Sequence, residues 1–272
     1  MDDSPGTASY NMAVDEAILR HHAQDEVPPT LRFYTWHPPA VSIGYSQDLE
    51  REVDREACHK LRIDYVRRPT GGRAVLHDEE ITYSVIIKLE YLPGSVLETY
   101  KFLSQGLLAG LKQLGLAGEL ARPKSGKTRG SAACFDAPSW YELEVRGKKL
   151  MGSAQMRKQN ALLQHGSILL ELDISRLLQT MNIKNEKIRQ RLADSLEKKA
   201  TAINPELRKA CKPTVTPQEA ALGMAKGFEI GLGIKLSPGE LTPEEKSTAI
   251  KLMEQKYSAH GWNYNRQRGG EQ

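Results

Sequence analysis

The sequence predicts an α+β fold: a mixed α/β sandwich with one sheet of about seven strands, flanked by helices and followed by a helical C-terminal segment. Three observations carry this reading. Strand-like apolar runs alternate with helical spacings as far as Leu172, whereas from Asp173 the chain becomes charged and helix-like. No internal repeat and no Gly/Ser/Pro linker divides the 272 residues. A composition of 39% hydrophobic and 26% charged residues is rich enough to build a core and too apolar for disorder.

The elements follow in order. Tyr10 to His22 reads as a helix with Met12, Ala13, Ala17 and Ile18 near one face. Leu31 to Trp36 and Ala40 to Tyr45 read as strands broken by His37-Pro38-Pro39, and a charged amphipathic helix runs from about Glu50 to Leu61. Ile63 to Arg67 is a strand leading into the loop Pro69-Thr70-Gly71-Gly72-Arg73, and Ile81 to Leu89 alternates like a half-buried strand. Ser95-Val96-Leu97-Glu98 is a capping box, continued by Leu103, Leu107 and Leu111 and closed by Gly115. Three strands are expected at Trp140 to Val145, Leu150 to Met156 and Ala161 to Leu172, with Gly147-Lys148 in the first turn. Thr216-Pro217-Gln218-Glu219 and Thr242-Pro243-Glu244-Glu245 each place a cap, a first-turn proline and an N3 glutamate in order.

Composition excludes several classes. No charge-free apolar stretch approaches the roughly 18 to 20 residues that span a bilayer. Met1-Asp2-Asp3-Ser4-Pro5 lacks the basic and apolar regions of a signal peptide, so a cytoplasmic protein with no membrane partner is expected. Cys58, Cys134 and Cys211 are an odd number at no metal-ligand spacing, which argues against a disulfide scaffold and a metal site. Between Lys184 and Lys212, nine basic and four acidic residues give an excess of +5, so the net +4 leaves −1 for the remainder. A nucleic-acid binder is not indicated; the basic stretch suits either a solvated helical face or an acidic partner.

Three constellations can carry chemistry. In Arg67-Arg68-Pro69-Thr70-Gly71-Gly72-Arg73-Ala74-Val75-Leu76-His77-Asp78, paired glycines let a ligand lie on the main chain, and arginines flank the free N–H groups. Cys134 lies in a turn-rich loop with Arg122, Lys124, Lys127 and Arg129 upstream, where cations would favour a nucleophilic thiolate. A lone cysteine is more often a buried small hydrophobe, which suits Cys58 and Cys211 better. Gly147-Lys148-Lys149-Leu150-Met151-Gly152-Ser153-Ala154-Gln155 brings a lysine into a strand of small residues, while His165 in Gln164-His165-Gly166-Ser167 reads equally as a core or a site histidine. Ala121 to Thr128 nearly matches a phosphate loop, but Ala121 replaces its first glycine and no strand–helix context surrounds it.

Taken together, Arg67-Arg68-x-Thr70-Gly71-Gly72-Arg73-Ala74-Val75-x-His77-Asp78, Lys149-x-x-Gly152-Ser153-Ala154-Gln155 and His165-Gly166 resemble the lipoate/biotin protein ligase superfamily from about Asn11 to Trp262. Cys134-Phe135-Asp136-Ala137-Pro138-Ser139-Trp140 is similar to the octanoyltransferases of that superfamily rather than to its ATP-dependent ligases. The resemblance implies a biotin/lipoate protein ligase-like catalytic domain over 1–235, with its core at about 25–232, and a C-terminal helical segment over 236–272 packed on it. It implies an acyltransferase that moves octanoyl from the phosphopantetheine of acyl carrier protein to a lipoyl-domain lysine of the glycine-cleavage H protein. Cys134 would be the acyl-thioester nucleophile and Lys149 the lysine that lowers its pKa. Arg68, Gly71, Gly72, Arg73, His77, Gly152, Ser153, Ala154, His165 and Gly166 would bind substrate. A monomer needing neither ATP nor metal is implied. An apolar slot under the Gly71-Gly72 loop is expected, since each buried methylene contributes about 0.8 kcal/mol. An amidotransferase acting on dehydrogenase E2 domains and an ATP-dependent lipoate ligase are the neighbouring readings.

Overall fold

The computed structural model describes residues 6–121 and 143–265. Helix α1 (Ala8–Ala23) is capped by Thr7, whose hydroxyl accepts from the Tyr10 amide. Strands β1 (Thr30–Tyr34) and β2 (Ala40–Ile43) follow, but they enter different sheets. The helix expected over Glu50 to Leu61 is two: α2 (Leu49–Glu52) capped by Asp48, and α3 (Arg55–Leu61) capped by Asp54. Each aspartate satisfies first-turn N–H groups, so the second starts a new helix instead of continuing the first.

The remaining strands are β3 (Asp64–Arg67), β4 (Val75–His77), β5 (Glu80–Lys88), β6 (Glu119–Leu120), β7 (Leu143–Val145), β8 (Lys148–Lys158) and β9 (Ala161–Leu169). Among the described residues the single sheet of about seven strands is corrected to two sheets. One has six strands in the order β1-β5-β9-β8-β7-β6, all antiparallel; the other is β3-β2-β4, with β2–β3 parallel and β2–β4 antiparallel. The α+β class and the mixed pairing stand. Arg146 and Gly147, both at positive φ, form the β7–β8 turn, so Lys148 opens the strand rather than sitting in the turn.

Strand β5 is buried along nearly its whole length, not half-buried. Ile81, Tyr83 and Val85 pack on the helices α4 (Val96–Gln113) and α8 (Pro217–Leu232). On the other face Ile86 packs toward α1, and Ser84 donates to Asp15 of that helix at 2.9 Å. Helices α4 and α8 can approach closely because a Cβ on Gly227 would stand 2.1 Å from the Gly110 nitrogen.

Helices α5 (Ile174–Thr180) and α6 (Glu186–Lys199) cover the three-stranded sheet with α2 and α3, and α7 (Ile203–Lys209) joins the α4/α8 core. The helices α9 (Pro243–Leu252) and α10 (His260–Asn265), linked by a π-turn at Met253–Tyr257, pack on α1 and β3. The capping boxes expected at Ser95, Thr216 and Thr242 are all formed.

Candidate functional site

The loop between β3 and β4 is held against β2 from two directions. Arg68 is buried, and its guanidinium donates to the carbonyls of Gly71 (2.8 Å), Arg73 (2.7 Å) and Ser42 (3.0 Å). These bonds fold the Thr70-Gly71-Gly72-Arg73 backbone around one side chain. Gly72 has φ +94, where an L side chain is strained, and a Cβ there would meet Arg68 Nη2 at 2.7 Å. Gly44, just past β2, passes so close that a Cβ on it would lie 2.0 Å from the Gly72 carbonyl oxygen.

Between this loop and the six-stranded sheet lies a narrow cleft with about 50 Å³ of room for water-sized molecules, open to solvent at its mouth. Met12, Tyr34, Trp36 and Val75 supply its apolar wall; Arg68, Gly72, His77, Gly152, Ser153, Ala154, His165 and Gly166 also line it. A cleft with an apolar wall therefore lies where a slot under the glycine loop is expected. It gathers residues from α1, the end of β1, the glycine loop with β4, and strands β8 and β9, the last two brought together by their pairing, with Ser153 opposite Gly166 and Ala154 opposite His165. Gly166 has no room for a side chain, since a Cβ would stand 2.6 Å from the Tyr83 ring and 2.7 Å from the Gly152 oxygen.

Two further predicted residues, Gly71 and Arg73, shape the loop through their carbonyls and do not line the cleft. Lys149 is buried at 4% exposure on β8, three positions before Gly152, and is not one of the lining residues. Its carbonyl accepts from the Thr201 amide at 2.9 Å, which ties this part of β8 to the segment after α6. Lys148 is half-buried, and its Nζ donates to the Glu197 carbonyl. Cys134, with Arg122, Lys124, Lys127 and Arg129, lies outside the described residues. Cys58 is buried, and desolvation with Asp54 nearby pushes its thiol up to about 11. Cys211, expected to be a buried hydrophobe, is instead exposed just past α7.

Two carboxylates missing from the sequence reading organise the cleft's polar side. Asp15, fully buried on α1, accepts from Arg32 (2.9 Å), Tyr34 (2.9 Å) and Ser84 (2.9 Å), and meets His165 Nδ1 at 3.4 Å. Burial would raise its pKa, but the His165 hydrogen bond and the Arg32 charge hold it below the ordinary value. Burial also pushes the His165 imidazole down, against the pull of Asp15. With Nδ1–H toward Asp15, Nε2 of His165 accepts from the Thr70 hydroxyl at 2.6 Å, so this histidine is both a satisfied core group and a cleft wall. The second carboxylate is Glu80, whose Oε1 lies 3.1 Å from His77 Nδ1 and accepts from Thr82 at 2.7 Å. Trp36 stacks on His77 with ring centroids 4.0 Å apart. Periodicity offers no signal for either acid, because a helix aspartate and a strand-edge glutamate read as surface residues until their partners are known.

The lipoyl protein ligase A/B catalytic domain family matches residues 7–229, and the chain belongs to this family. Among its curated relatives, Octanoyltransferase LipM of Kyrpidia tusciae is 49% identical over 266 residues, covering 95% of each chain. Octanoyltransferase LipM of Bacillus subtilis is 44% identical over 274 residues, covering 98% of this chain and 97% of the relative. A bi-partite lipoate protein ligase from Thermoplasma acidophilum superposes with TM-score 0.80 at 27% identity, covering 99% of this chain and 96% of that one. Lipoate-protein ligase A solved with ATP gives TM-score 0.77 at 26% identity, covering 96% and 95%. Among the described residues no helix is long and apolar enough to cross a membrane, and no cluster of three His, Cys, Asp or Glu could hold a metal ion.

Proposed function

We propose that this acyltransferase takes an octanoyl group from the phosphopantetheine of acyl carrier protein, holds it as a thioester on Cys134, and delivers it to the lipoyl-domain lysine of the glycine-cleavage H protein. The observation that carries the reading is near-full-length identity of 44–49% to octanoyltransferases, against 26–27% to the lipoate ligases that share the fold. Octanoyl transfer in lipoate biosynthesis and a lipoyl-domain acceptor follow from that kinship; the donor, the acceptor protein and the covalent step are the finer proposal.

The cleft supports it chemically. Its apolar wall of Met12, Tyr34, Trp36 and Val75 suits a saturated chain, and main chain at Gly72 and Gly152 lets the thioester carbonyl approach backbone. Thioester donors need no ATP, because the amide product is the more stable acyl compound. A cysteine intermediate divides the transfer into two acyl substitutions. In the first, the Cys134 thiolate attacks the octanoyl carbonyl and expels the carrier thiol. In the second, the acceptor lysine attacks and the Cys134 thiol is regenerated. The Lys149 ammonium would stabilise the thiolate and give its proton to the departing carrier thiolate, and the amine so formed would take the proton of the incoming lysine in the second half-reaction.

The test is transfer of octanoyl from carrier protein to apo H protein without ATP. Octanoylation under those conditions supports the reading. Octanoylation only from free octanoate with ATP replaces it by the ligase chemistry, and a preference for octanoyl-H protein as donor toward E2 domains replaces it by the amidotransferase.

A further inference from the structure

A hydroxyl and an imidazole that line the cleft stand in line with a buried carboxylate behind them, and the transfer chemistry above uses none of the three. Ser42 Oγ lies 2.8 Å from His77 Nε2, and His77 Nδ1 lies 3.1 Å from Glu80 Oε1. The three come from β2, β4 and the start of β5, so the arrangement spans both sheets. On the β2–β4 ladder Ser42 is opposite Val75 and Ala40 opposite His77, which puts Ser42 and His77 diagonally on one face, within side-chain reach. The imidazole is fixed from three sides: Trp36 stacks on it, Glu80 accepts from Nδ1–H, and Nε2 faces the serine. Thr82, which itself accepts from the Trp36 indole N–H at 2.8 Å, donates to Glu80 Oε1 and aims the carboxylate. The other oxygen of Glu80, also buried, has no hydrogen-bond partner among the described residues. Arg68 Nη1 donates to Ser42 Oγ at 3.1 Å, placing a cation where an alkoxide would form.

Distances of 2.6 to 3.2 Å from nucleophile to base, and from base to an orienting acid, are what activates a serine hydroxyl in acyl transfer. Ser42 and His77 both line the cleft. We infer that Ser42, with His77 as general base and Glu80 as its orienting acid, is a second acyl acceptor that gives the protein a hydrolytic activity toward medium-chain thioesters and esters. This rests on the proposal that the cleft holds the acyl chain. The Ser42 hydroxyl attacks the acyl carbonyl and its proton passes to His77 Nε2. The bond from the carbonyl to sulfur breaks, and the departing thiolate takes that proton, leaving an acyl ester on Ser42. Water then attacks the ester and loses a proton to His77. Octanoic acid leaves as Ser42 regains its hydroxyl hydrogen. Nothing is oxidised or reduced, and water is the only co-reactant.

The experiment is to treat the full-length protein with an octyl fluorophosphonate and read the modified residue by intact and peptide mass. Release of p-nitrophenol from p-nitrophenyl octanoate is followed in parallel, with Cys134→Ala built into each chain of this assay so that the Cys134 thiol contributes no ester cleavage. Wild type should be labelled on Ser42 and should hydrolyse the ester. Ser42→Ala should lose both, and Glu80→Gln, which keeps the side chain's size, should slow labelling by about 100-fold, within the range of a general base's contribution. Circular dichroism of each variant establishes that it is folded. Absence of label on Ser42 in the folded wild type overturns the inference. So does ester hydrolysis that survives Ser42→Ala, or labelling that Glu80→Gln leaves unchanged. Labelling requires neither carrier protein nor lipoyl domain, so its failure is seen separately from failure of the ATP-free transfer assay.

Discussion

Replacing Gly44 by alanine tests whether the position of the glycine loop, rather than its mere presence, sets activity. Gly44 has no left-handed φ, so the backbone at that residue accepts alanine. The obstacle is the Gly72 carbonyl oxygen, 2.0 Å from the added Cβ and about 1.4 Å inside ordinary van der Waals contact at 3.4 Å. The β2 side is pinned: the Gly44 carbonyl accepts from Arg67 at 3.2 Å, its amide donates to Gln47 at 2.9 Å, and the Tyr45 amide donates to Thr70 at 2.8 Å. The Gly71-Gly72 segment therefore moves, carrying one wall of the cleft with it. A misplacement of about 1 Å at a reacting centre costs on the order of 100-fold, roughly 2.7 kcal/mol in transition-state terms. Overpacking costs about 1–3 kcal/mol of stability. ATP-free octanoyl transfer by Gly44→Ala should fall by about two orders of magnitude in kcat/KM while the variant still melts cooperatively. Gly239→Ala, whose Cβ meets nothing within 4 Å, is the control for generic glycine effects. Transfer by Gly44→Ala within about threefold of wild type would refute this reasoning.

Three further outcomes follow from the packing. Arg67 is fully buried and donates to the carbonyls of Gly44, Tyr45, Gln47, Trp262 and Asn263; Arg67→Met should lower urea-measured stability by about 3–5 kcal/mol, and a loss under 1 kcal/mol would contradict the clamp. Glu16 accepts from Lys256 at 2.6 Å and from the Tyr257 hydroxyl; burial opposes ionisation, but Lys256 and these hydrogen bonds hold its pKa at about 2 against 4.5. A depressed carboxylate stabilises fully above about pH 4.5 and ceases to as pH falls through about 2, so Glu16→Gln should flatten the acid limb of stability by up to roughly 3 kcal/mol, part of it offset because burial pushes the Lys256 ammonium down. An unchanged acid limb would show that the contact between α1 and the π-turn at Met253–Tyr257 does not depend on this charge. Finally, iodoacetamide at neutral pH should alkylate exposed Cys211 and spare Cys58 in the native protein; equal rates would contradict the burial of Cys58.

How much of this was legible in the sequence depends on whether the signal was local. The three capping boxes at Ser95, Thr216 and Thr242 were readable, because each is complete within four residues. The residues of the cleft's polar side, Arg68, Gly72, His77, Gly152 and His165, were reached only through the resemblance of their motifs to a family, because their spacing alone suits a glycine hairpin or a core histidine equally well. The division into two sheets was not readable, because β4 is three residues long and its partner β2 looks locally like a continuation of β1. The apolar wall was missed for a related reason. Met12, Tyr34 and Trp36 come from α1 and the β1 end, and only pairing β1 with β5 brings them beneath the glycine loop. Asp15 escaped because its burial is made tolerable by Arg32, Tyr34, Ser84 and His165, all distant in sequence.

The most direct measurement is intact mass of the wild-type chain and of Cys134→Ser after incubation with octanoyl-acyl carrier protein and no ATP. A hydroxylamine-labile octanoyl adduct on wild type, absent from Cys134→Ser and discharged by apo H protein, is the predicted result. Octanoyl transfer to H protein that proceeds equally well in Cys134→Ser, with no adduct on either chain, would contradict it.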